Sequence, residues 1–179
     1  MLTFSGRHID EHRGAPSLLD LAVQLGREGR WCGAGRVFFP VLLHEMAVAD
    51  LLPLKIQIHG LLHDSDETLT GDVPSPMKTE AMRRIQQAFR LRVYAEMGIK
   101  PPDDKTVALV KAADLRIRVG EAHVIGPRNA ATSKEFLPRD RDAEKIVSFY
   151  AGRYEYADYL EPSGRAVEEY MKRCIAAKG

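Results

Sequence analysis

The sequence predicts an all-α fold, a single bundle of about six to seven helices spanning residues 1–179. Three observations predict it. Apolar residues recur at three- and four-residue spacing through most of the chain, the period of a half-buried helix. Alternating β-branched runs are scarce, and no hairpin turn stands between two such runs. Prolines and glycines fall between the periodic segments and bound them. With 179 residues, 45% hydrophobic and 28% charged, the chain is long enough for one buried core.

Residues 1–16 are polar, carry Gly6, Gly14 and Pro16, and read as an extended N-terminal arm. Ser17 opens the first helix, with Asp20 three residues on as a weaker form of the capping box. Leu18, Leu21, Ala22 and Leu25 give this helix an apolar face, and Gly26 and Gly29 end it. The segment GRWCGAG (29–35) is a loop whose glycines allow close approach to a ligand. A second helix starts near Pro40, a residue suited to a first turn, and stops before Pro53. The third runs from about Leu54 to Leu69 and is apolar nearly all round, the mark of a central helix.

After the turn TGDVPSP (70–76), a charged amphipathic helix covers 76–97, ended by Gly98 and confirmed by Pro101-Pro102. The next covers roughly Asp103 to Val124. An irregular stretch follows to about Pro138. Two last helices read at about 140–152 and 162–177, and a helix through 153–160 is equally readable.

The formal net charge of +1 gives no argument for a polymeric nucleic-acid partner. Cys32 and Cys174 are too few and too far apart for a disulfide framework, which suits a reducing cytoplasm. The N-terminus lacks the apolar core of a signal peptide, and no apolar run approaches the roughly 20 residues that span a bilayer. A soluble cytoplasmic protein without a membrane partner is the expectation.

The chemistry-bearing pattern is one histidine on the second helix, an adjacent His-Asp pair on the third, and a later aspartate. His44, His63, Asp64 and Asp114 form a mixed nitrogen and oxygen donor set. Such a set suits a divalent cation: cobalt, manganese, zinc, iron or magnesium. Glu67 lies three residues after Asp64, on the same face if the helix continues, and is placed for general acid/base work. Asp72 follows and is able to accept a hydrogen bond from a sugar hydroxyl. Lys111 stands three residues before Asp114. Trp31, the only tryptophan, sits in a glycine loop rather than on a helix face, and so reads as facing a ligand. His59 reads as lining the core, and His8, His12 and His123 as structural or solvated. Arg83, Arg84, Arg90 and Arg92 read as a wet face, a subunit contact, or added positive charge near a triphosphate.

Set in order, Arg30-Trp31, His44, His63-Asp64, Glu67, Asp72 and Asp114 resemble the HD-domain phosphohydrolases. The likeness is to their compact branch of bacterial 5′-deoxynucleotidases and phage dATP triphosphohydrolases. TFSGRHID, GRW, LLHDSDETLTGDVPSPMK and VKAADLRIRVGEA carry it. It covers residues 1 to about 125, with a looser C-terminal third. The resemblance implies that His44, His63, Asp64 and Asp114 are metal ligands and that Glu67 is the catalytic acid/base. It implies that Asp72 holds the sugar 3′-hydroxyl and that Arg30 and Trp31 line the nucleotide site. Trp31 would pack toward Pro74 or Pro76 and exclude a 2′-hydroxyl, giving a preference for deoxyribonucleotides. Lys78 and Lys111 would lie near the phosphates, and Gly33 leaves open space near the base. The implied reaction is attack of an ion-activated water on the α phosphorus. A dATP or other dNTP would give a deoxynucleoside and triphosphate, and a dNMP would give a deoxynucleoside and phosphate. The metal motif serves both. A homo-oligomer, dimer or hexamer, in a bacterial or phage-infected cytosol is also implied. A non-catalytic nucleotide-binding protein on the same fold would have lost a ligand or the glutamate, and none is missing.

Overall fold

The computed structural model describes residues 1–154 and 164–178, and these form an all-α bundle. Among them are eight α-helices: α1 (Leu18–Leu25), α2 (Val41–Asp50), α3 (Gln57–Leu61), α4 (Glu67–Thr70), α5 (Glu80–Glu96), α6 (Asp104–Val124), α7 (Arg141–Arg153) and α8 (Gly164–Lys178). No strand occurs among the described residues, only isolated bridges pairing Leu2 with His8 and Gly29 with Pro40. A helix through 153–160 lies largely outside the described residues.

The central helix is α2, not the segment after Pro53. Every residue from Val41 to Ala49 is buried. Its sequence, VLLHEMAVA, has only His44 and Glu45 as polar members, so it can be enclosed on all sides. It packs against α1, α3, α6, α7 and α8. The longest helix, α6, lies along both α2 and α7. Gly120 permits that contact with α7, because a Cβ there would stand 2.8 Å from the Ala143 carbonyl carbon.

The expected third helix, Leu54 to Leu69, is broken. A 3₁₀ turn at Leu54–Ile56 leads into α3, and the chain leaves helical geometry at Leu62 (φ −121°, ψ 7°). Side chains supply the bonds that a continuous helix would have made. The Asp64 amide donates to Glu45 Oε1 at 3.1 Å, and His63 Nδ1 lies 2.8 Å from the Gly60 carbonyl oxygen. The pair His63-Asp64 therefore sits in a turn between α3 and α4. Gly60 seats α3 against α2, since a Cβ would fall 3.0 Å from Ala49 Cα.

Glu45 is fully buried beside this turn. Its Oε2 lies 2.7 Å from the Tyr170 hydroxyl on α8, and that hydroxyl also lies 2.5 Å from the Leu61 carbonyl oxygen. A phenol has one proton to donate. If Tyr170 gives it to Leu61, the Glu45 carboxyl must carry its own proton toward Tyr170. Burial points the same way, raising the Glu45 carboxyl to about 8.

Residues 1–16 do not form a free extended arm. Ile9 is fully buried, and the Met1 ammonium donates to the Ile9 carbonyl at 2.8 Å. Asp20 ties the segment down. Ser17 and Asp20 form the capping box of α1, and Asp20 also accepts the Ser5 amide at 2.7 Å and the Ser5 hydroxyl at 2.9 Å. Burial opposes the charge, but the Ser17 and Ser5 donors outweigh it and bring the carboxyl from 3.8 to about 2. A lowered carboxyl favours the folded state at pH above 3.8 and loses that contribution as the pH falls through about 2. The shift is worth on the order of 2 kcal/mol. Asp20→Ala should lower the melting temperature at pH 7 by several degrees. At pH 2 the difference from wild type should have shrunk to a fraction of that, which paired thermal melts check.

The long amphipathic helix starts later than residue 76. Ser75–Met77 is a 3₁₀ turn, and Thr79 caps α5 by accepting the Met82 amide at 3.2 Å. Asp103 caps α6 in the same way through Thr106. Cys32 and Cys174 are both free thiols, the first exposed and the second buried. No helix among the described residues is long and apolar enough to cross a membrane.

Candidate metal centre

His44 stands in the middle of α2 with no exposed surface. Its Nδ1 lies 2.7 Å from Glu121 Oε1 on α6. His63, also buried, has its Nδ1 on the Gly60 carbonyl. An imidazole nitrogen against a carboxylate or carbonyl carries the proton, which leaves the lone pair on the other nitrogen. Both Nε2 atoms are buried and have no hydrogen-bond partner. Asp114 Oδ1 is 3.2 Å from His44 Nε2. Asp64 Oδ2 is 3.6 Å from the same atom and 3.2 Å from His63 Nε2.

One ligand atom each from His44, His63 and Asp114 lie within 4.8 Å of one another, and this largely buried group could hold a metal ion. Asp64 adds an oxygen at its edge. The donors come from α2, the turn after α3, and α6, rather than from three helices. Two orphaned imidazole nitrogens facing carboxylates are what an ion would satisfy. Burial opposes the His63 imidazolium, but Asp64 and then Asp114 overcome it and push the group up to about 10. Burial likewise opposes the Asp64 and Asp114 charges, and the two imidazoles hold both carboxyls below their usual range.

Glu67 opens α4, and its amide donates to the Asp64 carbonyl at 2.8 Å. The two residues are thus not one helical face, because Asp64 precedes the helix. The Glu67 side chain is 4% exposed, and its Oε2 is buried without a partner. Burial first, then the Asp64 and Asp72 charges, push its carboxyl up to about 11, against Arg30 and Lys78. Lys78 Nζ stands 3.9 Å from Glu67 Oε1. Gly71, at φ 75°, ends α4 and turns the chain so that Asp72 faces Arg30, with 3.3 Å between Oδ1 and the guanidinium.

A cavity of about 350 Å³ opens onto Asp64, Glu67 and Asp114. Arg30, Trp31, Asp72, Pro76 and Lys78 also line it, so most of the expected substrate residues share one space. Gly33 does not line it; its Cβ direction faces open space. Lys111 does not join Lys78. It lines a second cavity of about 240 Å³ with His63 and Tyr94, and the two cavities share Asp64 and Asp114. His59 lines that second cavity too, rather than the core, with Nδ1 3.3 Å from the Tyr94 hydroxyl. Of the α5 arginines, Arg90 lines it and pairs with buried Asp66 at 3.0 Å.

Trp31 (φ 61°) and Cys32 (φ 51°) both adopt left-handed backbone geometry, which costs non-glycine residues energy. This twist turns both side chains toward the first cavity. The Trp31 ring stands edge-on to Phe136, with 5.5 Å between centroids, in addition to sharing a wall with Pro74 and Pro76.

Several residues of the site escaped the sequence reading. Glu121 is fully buried and supports His44; its signal was an acid seven residues, two helical turns, after Asp114. Arg118, four residues after Asp114, lines the first cavity and pairs with Glu135 at 2.9 Å. Phe136 and Cys32 come from irregular segments that carry no periodic signal.

Fold and site define an all-α protein with a His/His/Asp group able to hold a metal ion. No family model matches the chain. The chain is similar to the uncharacterized protein YfdR of Escherichia coli (strain K12), with 29% identity over 129 residues, covering 69% of this chain and 71% of that protein.

Proposed function

We propose that the chain is a metal-dependent deoxynucleotide phosphohydrolase of the HD type. The observation that carries this reading is one juxtaposition. His44 Nε2 and His63 Nε2, both unpartnered, group with the Asp114 carboxylate, and Asp114 shares a cavity with Glu67, whose Oε2 is buried and unpartnered. His44, His63, Asp64 and Asp114 would hold the divalent ion, with manganese, cobalt, zinc, iron and magnesium all compatible with the donors. When bound, the ion supplies polarisation of a water and of a phosphoryl oxygen.

The chain's own residues supply the rest. Glu67 holds a proton at a carboxyl that faces the cavity and delivers it to the departing 5′-oxygen as the phosphorus–oxygen bond breaks. It regains a proton from the attacking water, so the residue ends the cycle unchanged. Asp72 accepts a hydrogen bond from the sugar 3′-hydroxyl, and Trp31 closes the space where a 2′-hydroxyl would stand. Lys78 and, from the neighbouring cavity, Lys111 meet charge on the phosphate oxygens.

The first substrate class is a dNTP, dATP among them, giving deoxynucleoside and triphosphate; a dNMP undergoes the same α-phosphorus chemistry. Incubation with each of the four dNTPs and dNMPs in manganese or cobalt tests this. Release of deoxynucleoside supports the reading and selects between the two substrates. No release from any of the eight would leave a nucleotide-binding protein without turnover.

A further inference from the structure

The Arg30 side chain is only 10% exposed, and its guanidinium meets two carboxylates of the protein itself. One terminal nitrogen lies 3.3 Å from Asp72 Oδ1, and the other lies 3.4 Å from Glu121 Oε2. The opposite oxygen of Glu121 holds His44 Nδ1 at 2.7 Å. A continuous chain of charged contacts thus runs from Asp72 through Arg30 and Glu121 to His44. Its two ends are the sugar side of the cavity and the metal group.

We propose that Arg30 is a positioning residue for the metal site, acting through Glu121 on His44, rather than a phosphate ligand. The proposal rests on the metal reading of His44, His63 and Asp114. Glu121 is an acid with no exposed surface, and a buried carboxylate stays charged only beside a compensating cation. Held by Arg30 through Oε2, Glu121 keeps Oε1 on His44 Nδ1 and fixes the ring with Nε2 toward Asp114. Without Arg30, the carboxyl loses its counter-charge, and His44 loses a fixed tautomer and orientation. Partners of this kind on a metal-bound histidine typically change metal affinity by about 10–100-fold. The same guanidinium holds Asp72, so one side chain ties a carboxylate of the cavity wall to one buried behind His44. Its forked geometry suits two carboxylates at once, which the single ammonium of lysine does not.

Calorimetric titration of the full chain with manganese, without nucleotide, tests this. Arg30→Met should weaken manganese binding at least tenfold, Glu121→Gln should do the same, and the double variant should lose no more than the worse single. Arg30→Lys, which keeps a positive charge in place, should fall between wild type and Arg30→Met and serves if the methionine variant does not fold. Wild-type manganese affinity in Arg30→Met, or in Arg30→Lys where only that variant folds, overturns the proposal. So does a double variant whose loss is the product of the single losses. A phosphate-ligand role would instead leave manganese binding intact and weaken only the nucleotide. If wild type itself binds no manganese, the metal reading falls with the proposal; if wild type binds and Arg30→Met binds equally, only the proposal falls.

Discussion

If the proposed hydrolase reading holds, Glu67→Gln should lose turnover by about a thousandfold while manganese binding stays near wild type. The substitution keeps shape and removes the transferable proton. Glu67 Oε2 is buried and unpartnered, so the amide has no bond to lose there, and Lys78 stands 3.9 Å from the other oxygen. Folding should survive for the same reason. A residue that merely braced the cavity would be replaced by glutamine at little cost in rate, so single-turnover kinetics separate the two roles. Substantial residual activity in a folded, metal-loaded Glu67→Gln protein would remove Glu67 from proton transfer. Metal titration of the same sample guards against a trivial loss of the ion.

The second large effect belongs to the ligands. His63→Ala should remove metal binding at micromolar concentrations, and with it the rise in melting temperature expected of wild type in manganese through binding to the folded state alone. His63 is a cleaner choice than His44. Its Nδ1 bonds only a backbone carbonyl, and the carboxylates that its Nε2 faces, Asp64 and Asp114, keep 22% and 28% of their side chains exposed, whereas Glu121 beside His44 has none. His44→Ala would leave Glu121 Oε1 without its contact in the core, and the cost in stability would mask the loss of metal. Melts of wild type and His63→Ala, each with and without manganese, give the comparison. An equal upward shift in both proteins would mean that the ion binds elsewhere.

The helical character of the chain was legible because its apolar residues follow the helical period and its caps are conventional. Ser17, Thr79, Asp103 and Asp140 each accept an amide three residues on. The break after Leu61 was not legible. The residues from Leu54 to Leu69 fit a helix locally, and the competing bonds come from Glu45, 19 residues before Asp64. The enclosure of α2 followed the same logic in reverse: a run of nine buried residues has little amphipathic contrast, so periodicity says nothing of its central place. The grouping of His44, His63 and Asp114 was legible as residue types and spacing. Which imidazole nitrogen faces the site was not, because Glu121 and Gly60 decide it through tertiary contacts. Lys78 and Lys111 looked equivalent as charges near the motif, yet the carboxylates Asp64 and Asp114 stand at the boundary between their two cavities. Nothing in the irregular run after Gly126 announced that Phe136 would meet Trp31.

Diffraction from crystals of the protein grown with manganese, recorded for the metal's anomalous signal, bears most directly on the metal reading. One strong peak is expected within about 2.3 Å of His44 Nε2, His63 Nε2 and an Asp114 oxygen, with Asp64 completing the set. No peak among these atoms, with hydrogen bonds found on both Nε2 nitrogens instead, would contradict the metal centre and the hydrolase built on it.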